Sequence, residues 1–214
     1  MNNTILTKLE HSSILLNHKG KNILFDPGNF SKQNNNLHNI DILLITHSHG
    51  DHLNLENIKY VHEHTNNLQI ITNSEVAGQI KDLKIKTHII ENTNSINVDG
   101  IEITAHDNKH EEIYHDFGLV QNTGYYIDNV FFHPGDAFTK PNKAISAIAT
   151  VIVAPFMRIK MAIDYINENP NTIHIGVHNG VANPDFLGWI KNIIQKNLKD
   201  GIQYMHSDSD PIQL

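Results

Sequence analysis

A chain of 214 residues with 39% hydrophobic content is long enough to enclose one sizeable core, and a single domain over residues 1–214 is expected. A formal net charge of -7 and the lack of any long Lys or Arg run argue against nucleic acid as the main partner, because phosphate binding needs a basic face. There is no cysteine, which excludes disulfides and any thiolate nucleophile or ligand. Met1 to Glu10 carries Lys8 and Glu10 and no apolar stretch of signal-peptide length, and no segment is apolar for long enough to span a bilayer. The expectation is a soluble cytoplasmic protein with no membrane partner. The 16 histidines equal Lys and Arg combined. Histidine is the commonest metal ligand, yet most of these are expected to be ordinary surface residues.

In chain order, Ile5 to Leu9, Ser13 to Asn17 and Asn22 to Phe25 read as short strands, with Lys19-Gly20 as a hairpin turn. Asp26-Pro27-Gly28 has the chemistry of a turn closing that hairpin. Asn34-Asn35-Asn36 reads as a polar loop. Ile42 to Ile45 is a continuous apolar run, as a buried strand requires. A helix follows over Leu53 to His64, with Leu53, Ile58 and Val61 inward. A strand at Gln69 to Thr72 and a helix from Ser74 to Leu83, capped by Ser74, come next. Strands are expected at Lys86 to Ile90 and Ile101 to Ala105, then a hairpin of Thr123 to Ile127 and Asn129 to His133 around Asp128-Asn129. Thr150 to Ala154 reads as a buried strand ended by Pro155, and Arg158 to Glu168 as a helix with Pro170 beyond it. Thr172 to Val177 is a further buried strand. Asn183-Pro184 opens a helix to about Lys199, and Ile202 to Met205 is a last strand. Strands followed by helices in both halves suggest two packed sheets with helices outside.

The segment Thr46-His47-Ser48-His49-Gly50-Asp51-His52 directly follows the apolar run. Residues two apart in an extended segment point the same way, so His47 and His49 can reach one metal, while Asp51 and His52 serve a second. Gly50 is read as the place of a sharp bend. The plain alternative is a solvated loop in a His-rich chain, but four N/O donors within six residues at a strand end favour metal binding. A dinuclear site needs further donors, and three places at strand ends offer them. Asp136 follows Pro134-Gly135, and a carboxylate there could bridge two ions; the alternative is a turn Asp capping its own backbone. His178 precedes Asn179-Gly180; the alternative is a surface-loop histidine. His106, His110 and His115 compete for the third place, and spacing alone does not choose among them.

The pattern resembles the His-x-His-x-Asp-His motif of the metallo-β-lactamase superfamily, and the resemblance runs through nearly the whole chain. Leu24-Phe25-Asp26-Pro27-Gly28 is similar to that family's turn ahead of the motif, Phe132-His133-Pro134-Gly135-Asp136 to its bridging-aspartate segment, and Ile175-Gly176-Val177-His178 to its last ligand. His110 to Tyr125, with Asn122-Thr123-Gly124-Tyr125, resembles a small lactonase-like branch of bacterial hydrolases whose third histidine lies about a dozen residues before such a run, which selects His110. The resemblance implies an α/β fold, the metallo-β-lactamase-type αββα four-layer sandwich. It also implies one metal on His47, His49 and His110, a second on Asp51, His52 and His178, Asp136 as the bridge, and Asp26 as the residue orienting a ligand histidine. His11 is read as structural or substrate-side. The chain departs from the glyoxalase II type, which adds a helical region after the last ligand. It departs from RNA-processing branches, which carry an inserted domain, and from the oxygen-reducing di-iron branch, which has Glu where this chain has His49.

The implied activity is metal-dependent hydrolysis with two divalent ions, zinc first and manganese or iron as alternatives, activating water. Asp51 and Asp136 are the carboxylates expected to take part in catalysis. The expected substrate is a small molecule of the lactone or ester type. The alternatives are a small-molecule phosphodiesterase and a metal-binding scaffold or sensor without turnover.

Overall fold

The computed structural model describes residues 4–31, 37–206 and 210–214; the expected Asn34-Asn35-Asn36 loop lies outside them. Side chains alternating between two faces build the first sheet. Its strands are β1 (Ile5–Lys8), β2 (Ile14–His18), β3 (Lys21–Phe25), β4 (Ile42–Ile45), β5 (Gln69–Thr72) and β6 (Thr87–Ile89), with the late strand β14 (Ile212–Gln213) added beside β1. Ile14, Leu16, Ile23, Phe25, Ile42 and Leu44 point to one face, and Leu24, Leu43, Ile45 and Ile70 to the other. Both faces are buried, as the continuous apolar sequence of β4 demands.

The second sheet contains β7 (Ser95–Val98), β8 (Ile101–Lys109), β9 (Gln121–Ile127), β10 (Phe131–His133), β11 (Ala147–Val151), β12 (Ile173–Val177) and β13 (Tyr204–Met205). Its order is β13-β12-β11-β10-β9-β8-β7, against β14-β1-β2-β3-β4-β5-β6 in the first. Val98, Ile101, Ile103, Tyr125, Phe131, Ala149 and Ile175 meet the inner face of the first sheet in one core. There Phe25 and Phe131 pack edge to face at 5.3 Å. Truncating either ring to alanine would cost about 3–5 kcal/mol.

Helices cover both outer faces. Ile58 and Val61 of α1 (Leu55–Glu63) and Val76 and Ile80 of α2 (Ser74–Ile80) close over the first sheet. Tyr165 of α3 (Ile159–Glu168) packs on Tyr126, Phe132 and Ile148, while Ile166 of α3 and Ile190 and Ile194 of α4 (Pro184–Lys196) cover Ile152. The result is helix, sheet, sheet, helix, the four layers expected. Among the described residues no helix is long and apolar enough to cross a membrane.

Several boundaries differ from the sequence reading. The strand expected at Thr150 to Ala154 is β11, three residues earlier; parallel pairing of Phe132 with Ile148 and of Val151 with Val177 sets its register inside an apolar run that carries no register mark. Asn73, not Ser74, caps α2, its side chain accepting from Val76 N–H. Asn54 caps α1, which therefore starts after Leu53. Ser95–Val98 pairs with β8 although only two of its residues are apolar, and β8 runs on to Lys109, which places His106 inside the strand. Asp26-Pro27-Gly28 does not close a hairpin. It leads out of β3 into a crossover to the parallel strand β4. The helix expected to reach Lys199 ends at Lys196.

His174 on β12 illustrates a satisfied buried histidine. Its Nδ1 accepts from Thr150 Oγ1 at 2.9 Å and its Nε2–H donates to Asn169 O at 3.1 Å. Burial pushes its pKa down to about 4, against the opposing hydrogen bond to Asn169. The folded state thus holds the ring neutral while the unfolded chain titrates near the free value of about 6.5. Stability from this group is complete above that value and is lost as pH falls from there through about 4. The urea midpoint of wild type should therefore fall more steeply over that interval than that of His174→Gln. Parallel pH profiles for the two proteins would show that His174 contributes nothing to the acid limb.

Candidate metal centre

β4 delivers the chain to Thr46, and the following residues coil rather than extend. His52 N–H and Leu53 N–H both donate to His49 O, at 2.9 and 2.8 Å. His47 and His49 stand side by side, as expected, and the turn that opens at His49 brings His52 back against His47. The His47 ring lies 4.9 Å from that of His49 and 3.9 Å from that of His52. Backbone packs directly on this turn. A Cβ on Gly28 would stand 1.8 Å from Asp51 O, so the segment after β3 tolerates only glycine there. Asn57 of α1 fixes that segment by donating to Pro27 O and Gly28 O at 3.1 and 2.9 Å. Gly50 is not in the left-handed region; what it allows is the approach of Asn29, whose Nδ2 would lie 2.9 Å from a Cβ.

The other donors come from strand ends of the second sheet. His110 follows β8, Asp136 follows β10 and His178 follows β12. They meet the turn in three overlapping sets: His47, His49 and His110; His47, His52 and Asp136; and His11, Asp51, His52 and His178. Within each set the donor atoms lie within 4.8 Å of one another. All seven residues singled out as metal donors in the sequence thus converge. His106 and His115 do not. His106 packs on Tyr126 and Phe132, at ring distances of 6.0 and 6.1 Å, and His115 is exposed beside Tyr114. His133 is buried and fully used, its Nε2–H donating to Ser12 O and its Nδ1 accepting from Gly135 N–H.

Hydrogen bonds at Nδ1 fix how four of the histidines present themselves. His110 donates to Glu111 O and His178 to Val153 O, both at 2.7 Å. His52 donates to Asp26 Oδ2 at 2.8 Å. Thr46 Oγ1 gives its own proton to Asp26 Oδ2 at 2.7 Å, so it can only accept from His47 Nδ1–H at 3.0 Å. Each ring therefore turns Nε2 toward the cluster. The Nε2 atoms of His47, His110 and His178 and Oδ1 of Asp136 are buried without a hydrogen-bond partner. Buried polar atoms left so are costly unless something else satisfies them, and bare imidazole nitrogens beside carboxylates fit a metal ion.

Charge follows the same geometry. Burial drives the pKa of His47 well below its usual value, helped by His52. Burial opposes protonation of His52, but Asp136 and Asp26 outweigh it and raise its pKa. His178 is raised to about 9 against burial, chiefly by Asp136 at 3.1 Å and by Asp51 at 3.0 Å. Asp51 and Asp136 stay ionised although burial disfavours it. His11 and His178 hold Asp51 well below the carboxylate range, and His178 and His52 do the same for Asp136. Without metal the cluster collects protons, which a cation would displace.

Above the cluster opens a pocket of about 500 Å³. His49, Asp51, His110, Asp136 and His178 form its floor, and Phe30, Ile113, Phe117, Pro155, Phe156 and Val181 its walls.

This fold matches known proteins. The model of the family described as "Beta-lactamase superfamily domain" covers residues 5–172. The chain belongs to that superfamily. Protein Rv0786c of Mycobacterium tuberculosis is 25% identical over 188 residues, covering 86% of this chain and 87% of that protein. The metallo-beta-lactamase fold protein YhfI of Bacillus subtilis superposes with a TM-score of 0.74 at 13% identity over all of both chains. Igni18, a metallo hydrolase of Ignicoccus hospitalis, gives 0.71 at 17% identity over 99% of this chain and 98% of its own. The isothiocyanate hydrolase from Delia radicum gut bacteria gives 0.67 at 16% identity, over 97% and 98%. The architecture of this beta-lactamase superfamily member is thus the metallo-β-lactamase fold.

Some residues that build the site were not singled out in the sequence. Thr46 carries the orientation of His47, and Asn122 shapes the Asp136 turn by accepting from Asp136 N–H at 3.2 Å and donating to Pro134 O at 2.9 Å. A threonine directly ahead of the motif and an asparagine opening Asn122-Thr123-Gly124-Tyr125 were the available signals. Glu111 and Val153 act through backbone carbonyls, which leave no trace in residue identity. His110→Ala should cost roughly one bound ion per chain, since a site drawn from three histidines loses a primary donor. His106→Ala should hold metal at the wild-type level. Elemental analysis after dialysis against buffered zinc reads both, and the reverse pattern would make His106 the donor.

Proposed function

We propose that this protein is a metal-dependent hydrolase whose substrate is a small, uncharged lactone or ester with an apolar body. His47, His49 and His110 would hold one ion, and Asp51, His52 and His178 a second. The position of Asp136 supports its role between them. Its Oδ1 lies 3.2 Å from His52 Nε2, while its Oδ2 lies 3.1 Å from His178 Nε2 and 3.5 Å from His110 Nε2, so its oxygens face histidines of both groups. When bound, two divalent ions supply Lewis acidity, lowering the pKa of a water and polarising the oxygen of an electrophile. A donor set of imidazole and carboxylate without thiolate suits zinc and also manganese or iron.

The observation that carries the substrate class is the pocket. Its walls are apolar, its volume of about 500 Å³ suits a small molecule, and among the described residues no Lys or Arg lines it. A phosphodiester would enter as an anion along walls that offer it no side-chain cation. A neutral ester or lactone acquires negative charge only as it reacts, at the floor where the cationic centre would lie. The walls bind its apolar body and exclude water. Asp51 lines the pocket and is one-fifth exposed, so its carboxylate would face a bound substrate. The run Asn122-Thr123-Gly124-Tyr125 agrees with placement in the lactonase-like branch.

Zinc- or manganese-loaded protein should hydrolyse a member of a panel of lactones, aryl esters and phosphodiesters. An aryl isothiocyanate belongs on the panel because the isothiocyanate hydrolase shares this fold and its substrate also has a neutral electrophilic carbon. A chelator should abolish turnover and added metal restore it. Asp136→Asn should lower kcat by orders of magnitude, because losing an activated-water mechanism costs several kcal/mol of barrier. Turnover of phosphodiesters alone would contradict the substrate class. Background rates on the whole panel with metal bound would favour a scaffold or sensor.

A further inference from the structure

Among the described residues, His11 is the one clustered donor that lies outside the seven-residue set. It sits in the turn between β1 and β2, fully buried, with its backbone at φ 52°. Its Nε2 is within reach of the atoms of Asp51, His52 and His178, so by proximity alone it would count as a further ligand. Its hydrogen bonds exclude that. Gly180 N–H points at His11 Nδ1 at 3.0 Å, so Nδ1 is the bare nitrogen. The proton is therefore on Nε2, which donates it to Asp51 Oδ2 at 3.0 Å. This is the opposite orientation to that of His47, His52, His110 and His178, whose Nδ1–H groups donate away from the cluster and whose Nε2 atoms face it.

The backbone of the same residue makes a second link. His11 O accepts from His178 N–H at 3.0 Å, and the two rings lie 4.1 Å apart. His178 is itself at φ 67°, a strained conformation for a residue with a Cβ, which its neighbours must hold in place. Gly180 allows the arrangement: a Cβ there would lie 3.0 Å from His11 Nδ1 and 2.9 Å from Phe30 Cβ.

We propose that His11 is the positioning residue of the second metal subsite, aiming the Asp51 carboxylate through its Nε2–H and seating His178 through its carbonyl, without binding metal itself. The inference rests on the reading of Asp51, His52 and His178 as ligands of a second ion. Asp51 comes from the first half of the chain and His178 from the second, and His11 touches both. Its donor leaves Asp51 with one oxygen engaged and limits the carboxylate to one approach.

Two substitutions separate positioning from ligation. His11→Gln keeps an N–H donor at about the reach of Nε2. His11→Asn suits the left-handed backbone but stops short of Asp51. Each protein is titrated with zinc against a competing chelator at fixed pH, with circular dichroism as the check on folding. His11→Asn should bind the first ion as wild type does and the second about 10–100-fold more weakly, the usual effect of losing a partner of a metal ligand. His11→Gln should recover most of that loss. Wild-type affinity for both ions in His11→Asn would overturn the proposal while leaving the two-ion reading intact. A Gln variant as weak as the Asn variant would make His11 a ligand and equally overturn it. Wild-type protein that never takes a second ion would sink the reading on which it rests. Should His11→Asn not fold, Gly180→Ala tests the same link from an exposed position. Its methyl group displaces the imidazole and should weaken the second ion, and unchanged affinity would refute the role.

Discussion

Asp26 is the constraint on which the site depends. A carboxylate buried completely is tolerated only when its oxygens are engaged. Here Oδ1 accepts from Thr46 N–H at 2.8 Å, and Oδ2 accepts from Thr46 Oγ1 and from His52 Nδ1. One side chain at the end of β3 thereby fixes the start of the histidine turn, the tautomer of His52 directly and that of His47 through Thr46. Removing it would leave buried donors on His52 and Thr46 unpaired, at a cost of about 1–3 kcal/mol each, and would free both rings to rotate or change tautomer. The loss would fall on the metal centre before it fell on the fold.

The rest of the centre follows from two sheets packed face to face. β4, β8, β10 and β12 all bring the chain to the same edge, and the donor-bearing turns begin where pairing ends. Thr123 N–H donates to Thr46 O at 3.0 Å, so β9, the strand before the one that leads to Asp136, is tied to the histidine turn across the inter-sheet gap. Glu75 of α2 accepts from both Ser48 Oγ and Gln121 N–H, which holds the same two segments from the outside. The core between the sheets is thus continuous with the polar floor, and the apolar walls of the pocket come from loops that leave it.

Chemistry concentrated in residue identity was legible in the sequence. His47, His49, Asp51 and His52 stand out because four donors in six residues outweigh the bland reading of a solvated loop, and the apolar run Ile42 to Ile45 placed them at a buried strand end. Asp136 and His178 were legible as donors at strand ends, and the resemblance gave them their roles. Choosing His110 over His106 needed the resemblance, because only the extension of β8 to Lys109 carries His106 onto the outer face. Register was not legible. Ala147 to Ala154 is apolar or small enough throughout that any five of its residues could have made the strand, and the partners decided. Ser95–Val98 was missed because an edge strand needs only one buried side. The orientation of each histidine was hidden as well, since carbonyls such as those of Glu111 and Val153 belong to every residue type. The role of His11 shows only when Gly180, 169 positions away, donates to its ring.

The central claim is that two ions sit in one cluster with Asp136 between them. Crystals of zinc-loaded protein measured on both sides of the zinc absorption edge test it most directly. The expected result is two anomalous peaks roughly 3.5–4 Å apart, one against His47, His49 and His110 and the other against Asp51, His52 and His178, with the Asp136 carboxylate contacting both. A single peak, or two peaks that Asp136 does not join, would contradict the dinuclear centre.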